Sequence, residues 1–187
     1  YNHQEIPGNG VDDDGNGYVD DHRGWNPNSQ TDQVYGGTHG TQVAGMIGAS
    51  GNNVTGVVGA NWNVKMMLVF NSGANDAGVL ASHSYPLTMR RIYNQPHGAS
   101  GAFVVATNGS WGINGGRPAD APIWCAMYDS LGTVGILGCG ATANNNVDVD
   151  IVGDLPTACP SNYMISVTAT DSNDQRTFSG YGLTTID

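Results

Sequence analysis

Four short apolar runs separated by helix-length segments constrain this chain more than any other feature. Residues 64–70, 103–108, 134–139 and 163–169 are largely apolar and do not alternate with polar residues. Runs of this kind suit strands buried on both faces, as in a parallel sheet flanked by helices. Between them, residues 76–94 and 119–131 read as helices, with Pro86 marking a break or late start in the first. Strand followed by crossover helix, repeated, predicts an α/β layer with a mostly parallel sheet. Residues 1–35 differ: they are polar, rich in Asp, Asn and Gly, lack periodicity, and read as loop. No internal repeat or linker is evident, and 187 residues are enough for one domain with a sizeable core.

Charge narrows the function. The formal net charge is -10, and the basic residues are Lys65 and five arginines, of which Arg90-Arg91 is the sole adjacent pair. Neutralising phosphates takes clustered Lys and Arg, so nucleic acid is not the expected partner. No apolar run is long enough to span a bilayer.

Chemistry concentrates in His39-Gly40-Thr41-Gln42-Val43-Ala44-Gly45. Residues 40–49 are small or apolar and suit a helix packed tightly on a sheet. A histidine opening such a helix stands on a rigid element, where an imidazole can take and return a proton near neutral pH. The run resembles the HGTxVAG histidine motif of the subtilisin-like serine peptidases. It departs in what precedes it, with Gly37-Thr38 where the family has a glycine directly before the histidine.

Further motifs follow in the family's order. Gly56-Val57-Val58-Gly59-Ala60 with Val64-Lys65-Met66-Met67-Leu68 is similar to the stretch leading from the histidine helix into the next strand. The run from Val104 to Gly112 is similar to VINMSLG, that from Val134 to Asn144 to VVAAAGN, and Ile165 to Ala169 with Phe178 to Gly182 to VIAVGA and FSNYG. The resemblance implies a subtilisin-like three-layer fold and a polypeptide substrate. It implies His39 as general base and Asn144, followed directly by Asn145 and Asn146, as oxyanion donor. It implies Ser110, Trp111 and Gly112 as a backbone edge for an extended substrate, with Trp111 near the specificity pocket or packed beneath it.

The family's aspartate motif and its GTSxAxP serine motif do not occur in these residues, and Asp32 lacks the aspartate's context. The expectation is therefore that the chain is the central part of a single peptidase domain, inactive alone. Flanking segments, in the same or separate chains, would carry the triad's Asp and Ser. The rival reading is a non-catalytic module that keeps the fold for binding; a calcium-dependent adhesion module ranks last because it leaves the His39 motif unexplained.

The second loaded stretch is Asp12-Asp13-Asp14-Gly15-Asn16-Gly17-Tyr18-Val19-Asp20-Asp21. Counting Asp12 as position one, oxygen side chains fall at positions one, three, five and nine, with glycine at six. This matches most of an EF-hand calcium loop, in which Tyr18 would lend its carbonyl. Arg23 occupies the twelfth position, where a bidentate acid belongs, and Asp21 is the candidate replacement. The crowded carboxylates favour a cation, and hard oxygen donors favour Ca2+ over zinc. Similar GNGIDDDGNGYVDD insertions occur in secreted bacterial subtilisin-like enzymes, which implies a structural calcium and an extracellular or cell-surface setting.

Of the three cysteines, Cys139 reads as a buried thiol in a strand. Cys125 and Cys159 lie in helix or loop, where a secreted protein can join them, and three free thiols is the alternative.

Overall fold

A computed structural model describes every residue except Gly36, Ser72, Pro96 and His97. The chain divides into two compact units, Tyr1–Phe70 and Asn71–Asp187.

In Tyr1–Phe70, the first 35 residues form no helix, and strand pairing there is limited to isolated bridges. Carboxylates organise the backbone instead. Asp13 accepts hydrogen bonds from the Ile6 N–H (3.0 Å) and the Asn9 amide (2.9 Å), and Asp20 from the N–H groups of Asn9 (3.0 Å) and Gly10 (2.9 Å). One helix follows, α1 (Thr38–Gly48). The chain then folds back over its C-terminal end, where Gly59, Ala60 and Asn61 donate to the carbonyls of Ala49, Met46 and Ile47 at 2.9–3.0 Å. Otherwise orphaned carbonyls at the helix end are thereby satisfied. Within this unit α1 packs on its own returning loop and buries no residue.

The strand expected at 64–70 reduces to a single parallel bridge, Trp25 to Val69. Trp25 donates to the Leu68 carbonyl (3.1 Å) and accepts from the Phe70 N–H (2.9 Å). A ladder needs a neighbouring strand to pair its alternate groups, and among this unit's described residues Trp25 is the neighbour available.

In Asn71–Asp187 the α/β alternation appears. Its elements are α2 (Asp76–Tyr93), β1 (Ala106–Gly109), β2 (Ile113–Asn114), a 3-10 turn at Pro118–Asp120, α3 (Pro122–Thr133), β3 (Leu137–Ala141), a short α4 (Val149–Val152), β4 (Asp154–Leu155) and β5 (Met164–Val167). Strands β1, β3 and β5 form a parallel sheet in that order, and β2 pairs with β4 antiparallel. The fold is mixed α/β with a mostly parallel sheet.

Helix α2 starts with the Asn75 side chain accepting from the Gly78 N–H (2.9 Å), a standard N-cap. It continues through Pro86 rather than breaking there. A mid-helix proline costs about 3 kcal/mol, and burial of Val79, Tyr85, Leu87 and Met89 on the same helix offsets it. Arg90 is absorbed structurally: its guanidinium lies 4.2 Å from the centre of the Phe103 ring and donates to the Asn94 side chain (2.9 Å) and the Val104 carbonyl.

The core gathers Val79, Trp124, Tyr128, Leu131, Ile136 and Leu155. Trp124 Nε1 donates to the Tyr128 hydroxyl (3.2 Å), and burial pushes that phenol up to about 12. Residues 134–136 do not open β3 as expected. They turn out of α3, with the Ile136 N–H bonded to the Leu131 carbonyl (3.0 Å), so the strand begins at Leu137. Nor is the sheet buried equally on both faces. Gly138 and Gly140 are buried while Leu137, Cys139 and Ala141 are half-buried. Cys139 is accordingly half-exposed rather than enclosed, with its thiol pushed up by partial desolvation. Cys125 and Cys159 are joined, tying α3 to the segment after β4.

Candidate functional site

The carboxyl edge of the parallel sheet collects the predicted residues of the second unit. Gly109 pairs with Gly140 in the β1–β3 register, so the segments following the two strands leave the sheet side by side. Ligand sites in open parallel sheets form at this edge.

Ser110, Trp111 and Gly112 follow β1 directly. The Ser110 hydroxyl receives a hydrogen bond from the Asn108 amide (2.9 Å). Trp111 packs downward, its ring 5.4 Å from that of Trp124 and 6.2 Å from that of His83, so it supports the edge from beneath. Gly112 is required by contact: a Cβ there would stand 2.0 Å from the Leu155 carbonyl oxygen. Only glycine lets the two backbones approach so closely.

Asn144 lies three residues beyond β3 and is exposed. The two residues before it are buried and fixed. Thr142 N–H donates to the Val167 carbonyl (3.0 Å), and the Ala143 carbonyl accepts from Gly180 N–H (2.8 Å). Among the described residues the Asn144 amide engages no protein group, whereas the neighbouring Asn146 is tied to Arg176. Of these two asparagines, Asn144 thus combines a rigid base with a free donor.

His39 belongs to the other unit, as the second residue of α1, and it is exposed. Gly37 caps the helix at φ 78°, a left-handed value that favours glycine, and Thr38 fills the first helical position between them. Asp32 faces Arg23, with its carboxylate 3.8 Å from Nε.

The acidic loop of the first unit draws its carboxylates inward. Oxygens of Glu5, Asp12 and Asp14 lie within 4.8 Å of one another. Asp12 accepts from the N–H groups of Asn16 (3.1 Å) and Gly17 (2.8 Å). The Asn16 amide bridges Asp14 (3.2 Å) and Asp21 (2.8 Å), and the Asn2 amide does the same at 2.9 and 2.6 Å. Asn16 and Asp21 are buried. Tyr18 sets its ring edge-on to Trp25 at 4.9 Å. The Asp20 carboxylate points elsewhere, to the Asn9–Gly10 backbone.

Glu5 is the residue that sequence reading missed. It is 4 % exposed, and its carboxylate accepts from the N–H groups of Asp13 (2.9 Å), Asp14 (3.2 Å) and Asp20 (3.1 Å). Burial, reinforced by the negative charges of Asp21 and Asp14, pushes its carboxyl above the usual range. Its one sequence signal was an acid placed seven residues ahead of Asp12, outside the loop's internal spacing.

Comparison with known proteins agrees with this architecture. The model of the subtilase family matches residues 1–186. No curated protein matches the chain. Among solved structures, a protease of Pseudoalteromonas arctica is similar at 22% identity and TM-score 0.59, covering 78% of this chain and 41% of its own. The epidermin leader peptide processing serine protease of Staphylococcus aureus is similar at 18% identity and TM-score 0.57, covering 80% of this chain and 38% of its own. The chain thus spans about two-fifths of the length of each.

Proposed function

The chain belongs to the subtilase family, and on that premise we propose that it supplies the general base and the oxyanion donor of a secreted serine endopeptidase. The observation that carries this reading is Asn144: an unengaged side-chain amide on a clamped backbone, beside the 110–112 edge.

In the proposed reaction the His39 imidazole accepts the proton of an attacking serine hydroxyl and returns it to the leaving amine. The Asn144 amide donates to the oxygen that becomes negative as the serine adds to the scissile carbonyl. Backbone at 110–112 aligns the substrate as an added extended strand, with Trp111 stiffening that edge from below. The serine, and the aspartate orienting His39, come from outside these 187 residues.

Calcium belongs to the same proposal. Glu5, Asp12 and Asp14 offer hard oxygen donors within reach of one ion, and the buried Glu5 carboxylate lies close to other acids. These residues fit calcium. When bound, the ion neutralises the crowded carboxylates and holds the loop, a structural role.

The test is peptide hydrolysis by the full-length protein. Asn144→Ala should lower kcat roughly a hundredfold with little change in KM, because the lost hydrogen bond matters most in the transition state. An unchanged kcat would remove Asn144 from the mechanism. Absence of turnover in the full-length protein would favour the non-catalytic module instead.

A further inference from the structure

Asp154 is 1 % exposed and lies in β4, one strand away from the proposed chemistry. A single carboxylate oxygen, Oδ2, accepts three hydrogen bonds: from the Thr142 hydroxyl (3.1 Å), the Ala143 N–H (3.1 Å) and the Thr157 hydroxyl (2.7 Å). Two of these donors belong to the residues immediately before Asn144. With the Ala143 carbonyl held by Gly180, both peptide groups flanking Ala143 are fixed, the one before it by Asp154 and the one leading into Asn144 by Gly180.

The backbone of the same residue reaches the other half of the site. Asp154 pairs with Asn114, and Leu155 with Ile113, in the β2–β4 ladder. That ladder is where Gly112 presses against the Leu155 carbonyl. One residue thus joins the base of the oxyanion donor, through its side chain, to the substrate edge, through its main chain.

Bulk stability does not call for a carboxylate here. A buried acid loses its hydration, and apolar replacements of buried charged groups are often neutral or stabilising. What a carboxylate adds is an acceptor able to gather two hydroxyls and one backbone N–H on one point. We infer that Asp154 is a positioning residue, which sets the Asn144 amide against the 110–112 edge by clamping Thr142 and Ala143. The inference rests on the reading of Asn144 given above.

The experiment is a double-mutant cycle in the full-length protein. Active enzyme is counted by titration with a serine-directed inhibitor, so that misfolded protein drops out. Asp154→Ala should lower kcat about tenfold at nearly constant KM, while Asp154→Asn, which keeps one oxygen for the three donors, should stay within about threefold of the parent. Thr142→Val removes one donor with little change of shape and should cost about threefold.

In an Asn144→Ala background both losses should vanish, since residues acting as one unit are not additive. If Asp154→Ala fails to fold, the Thr142→Val cycle gives the decision. Losses of equal size in both backgrounds, or Asp154→Asn as damaging as Asp154→Ala, would overturn the inference while leaving Asn144 in place. If Asn144→Ala itself costs nothing, the oxyanion reading falls and this inference falls with it.

Discussion

The two units of this chain are ordered by opposite means. Among the described residues of Tyr1–Phe70, Trp25 is the one buried large apolar side chain, while Glu5, Asn16, Asp21 and Asn26 are buried polar groups. In Asn71–Asp187, Trp124, Leu131, Ile136, Val79 and Leu155 are fully buried, and a disulfide crosses the core. Each such apolar side chain contributes about 1.5–3 kcal/mol. A unit built on converging carboxylates holds its shape only while those charges are satisfied, so on the proposed reading its stability should depend on cation and pH. A unit built on apolar burial should feel pH only locally, where a carboxylate such as Asp150 anchors a loop. The proposed chemistry draws on both: His39 rises from the first unit, and Asn144 from the second.

The largest effect should come from the cross-link. Replacing Cys125 and Cys159 with Ala opens a 34-residue separation, which costs about 3–4 kcal/mol. The loss should appear in the unfolding of Asn71–Asp187, as read by amide exchange, and spare the acidic loop. Under non-reducing denaturing conditions one thiol, Cys139, should alkylate; three would remove the bridge.

Chelation should act on the other side of the comparison. If calcium is present at about a hundred times its dissociation constant, removing it costs about 3 kcal/mol. Protection should fall in residues 1–35 while the Trp124 core stays protected. Asp14→Ala and Glu5→Gln should each blunt the response. A melting curve indifferent to chelator would end the calcium reading, and equal loss in both units would end the contrast.

The smallest effect is expected at Asp150. Hydrogen bonds from Thr185, and then from the Leu183 and Thr184 N–H groups, hold its carboxyl down at about 2. A depressed folded-state value contributes stability that is present above the unfolded carboxylate value, about 3.9. That contribution is lost as pH falls through about 2. Protection at 183–185, taken against the intrinsic exchange rate at each pH, should therefore fall between pH 4 and roughly 2, and Asp150→Asn should show the low protection already at neutral pH. Protection independent of pH in that window would discard the anchor.

How much of this was legible depended on how local the cause was. The α/β alternation and the fold class were readable because apolar runs of 103–108, 134–139 and 163–169 carry their strands, displaced by a few residues. The displacement has a tertiary cause, as where Ile136 closes the end of α3 instead of opening β3. The strand at 64–70 was over-read, since among the described residues of its unit the run pairs only through a single bridge to Trp25. Pro86 misled for the opposite reason, because packing held a helix that local propensity would break. At the candidate site, His39, Asn144 and the acidic loop stood out by motif. Glu5 and Asp154 did not, because their roles come from donors that only folding brings to them.

The central claim is that His39 acts as the general base of a serine peptidase, and one kinetic comparison tests it most directly. The full-length protein and its His39→Ala variant should be compared for peptide hydrolysis and for labelling by a serine-directed phosphonylating probe, with folding checked by melting temperature. The account predicts that the variant melts like the parent, because His39 is exposed and pairs with no described residue. Turnover should fall by about 10⁴-fold or more, and probe labelling should be lost in parallel. Undiminished turnover or labelling in a folded His39→Ala protein would contradict it.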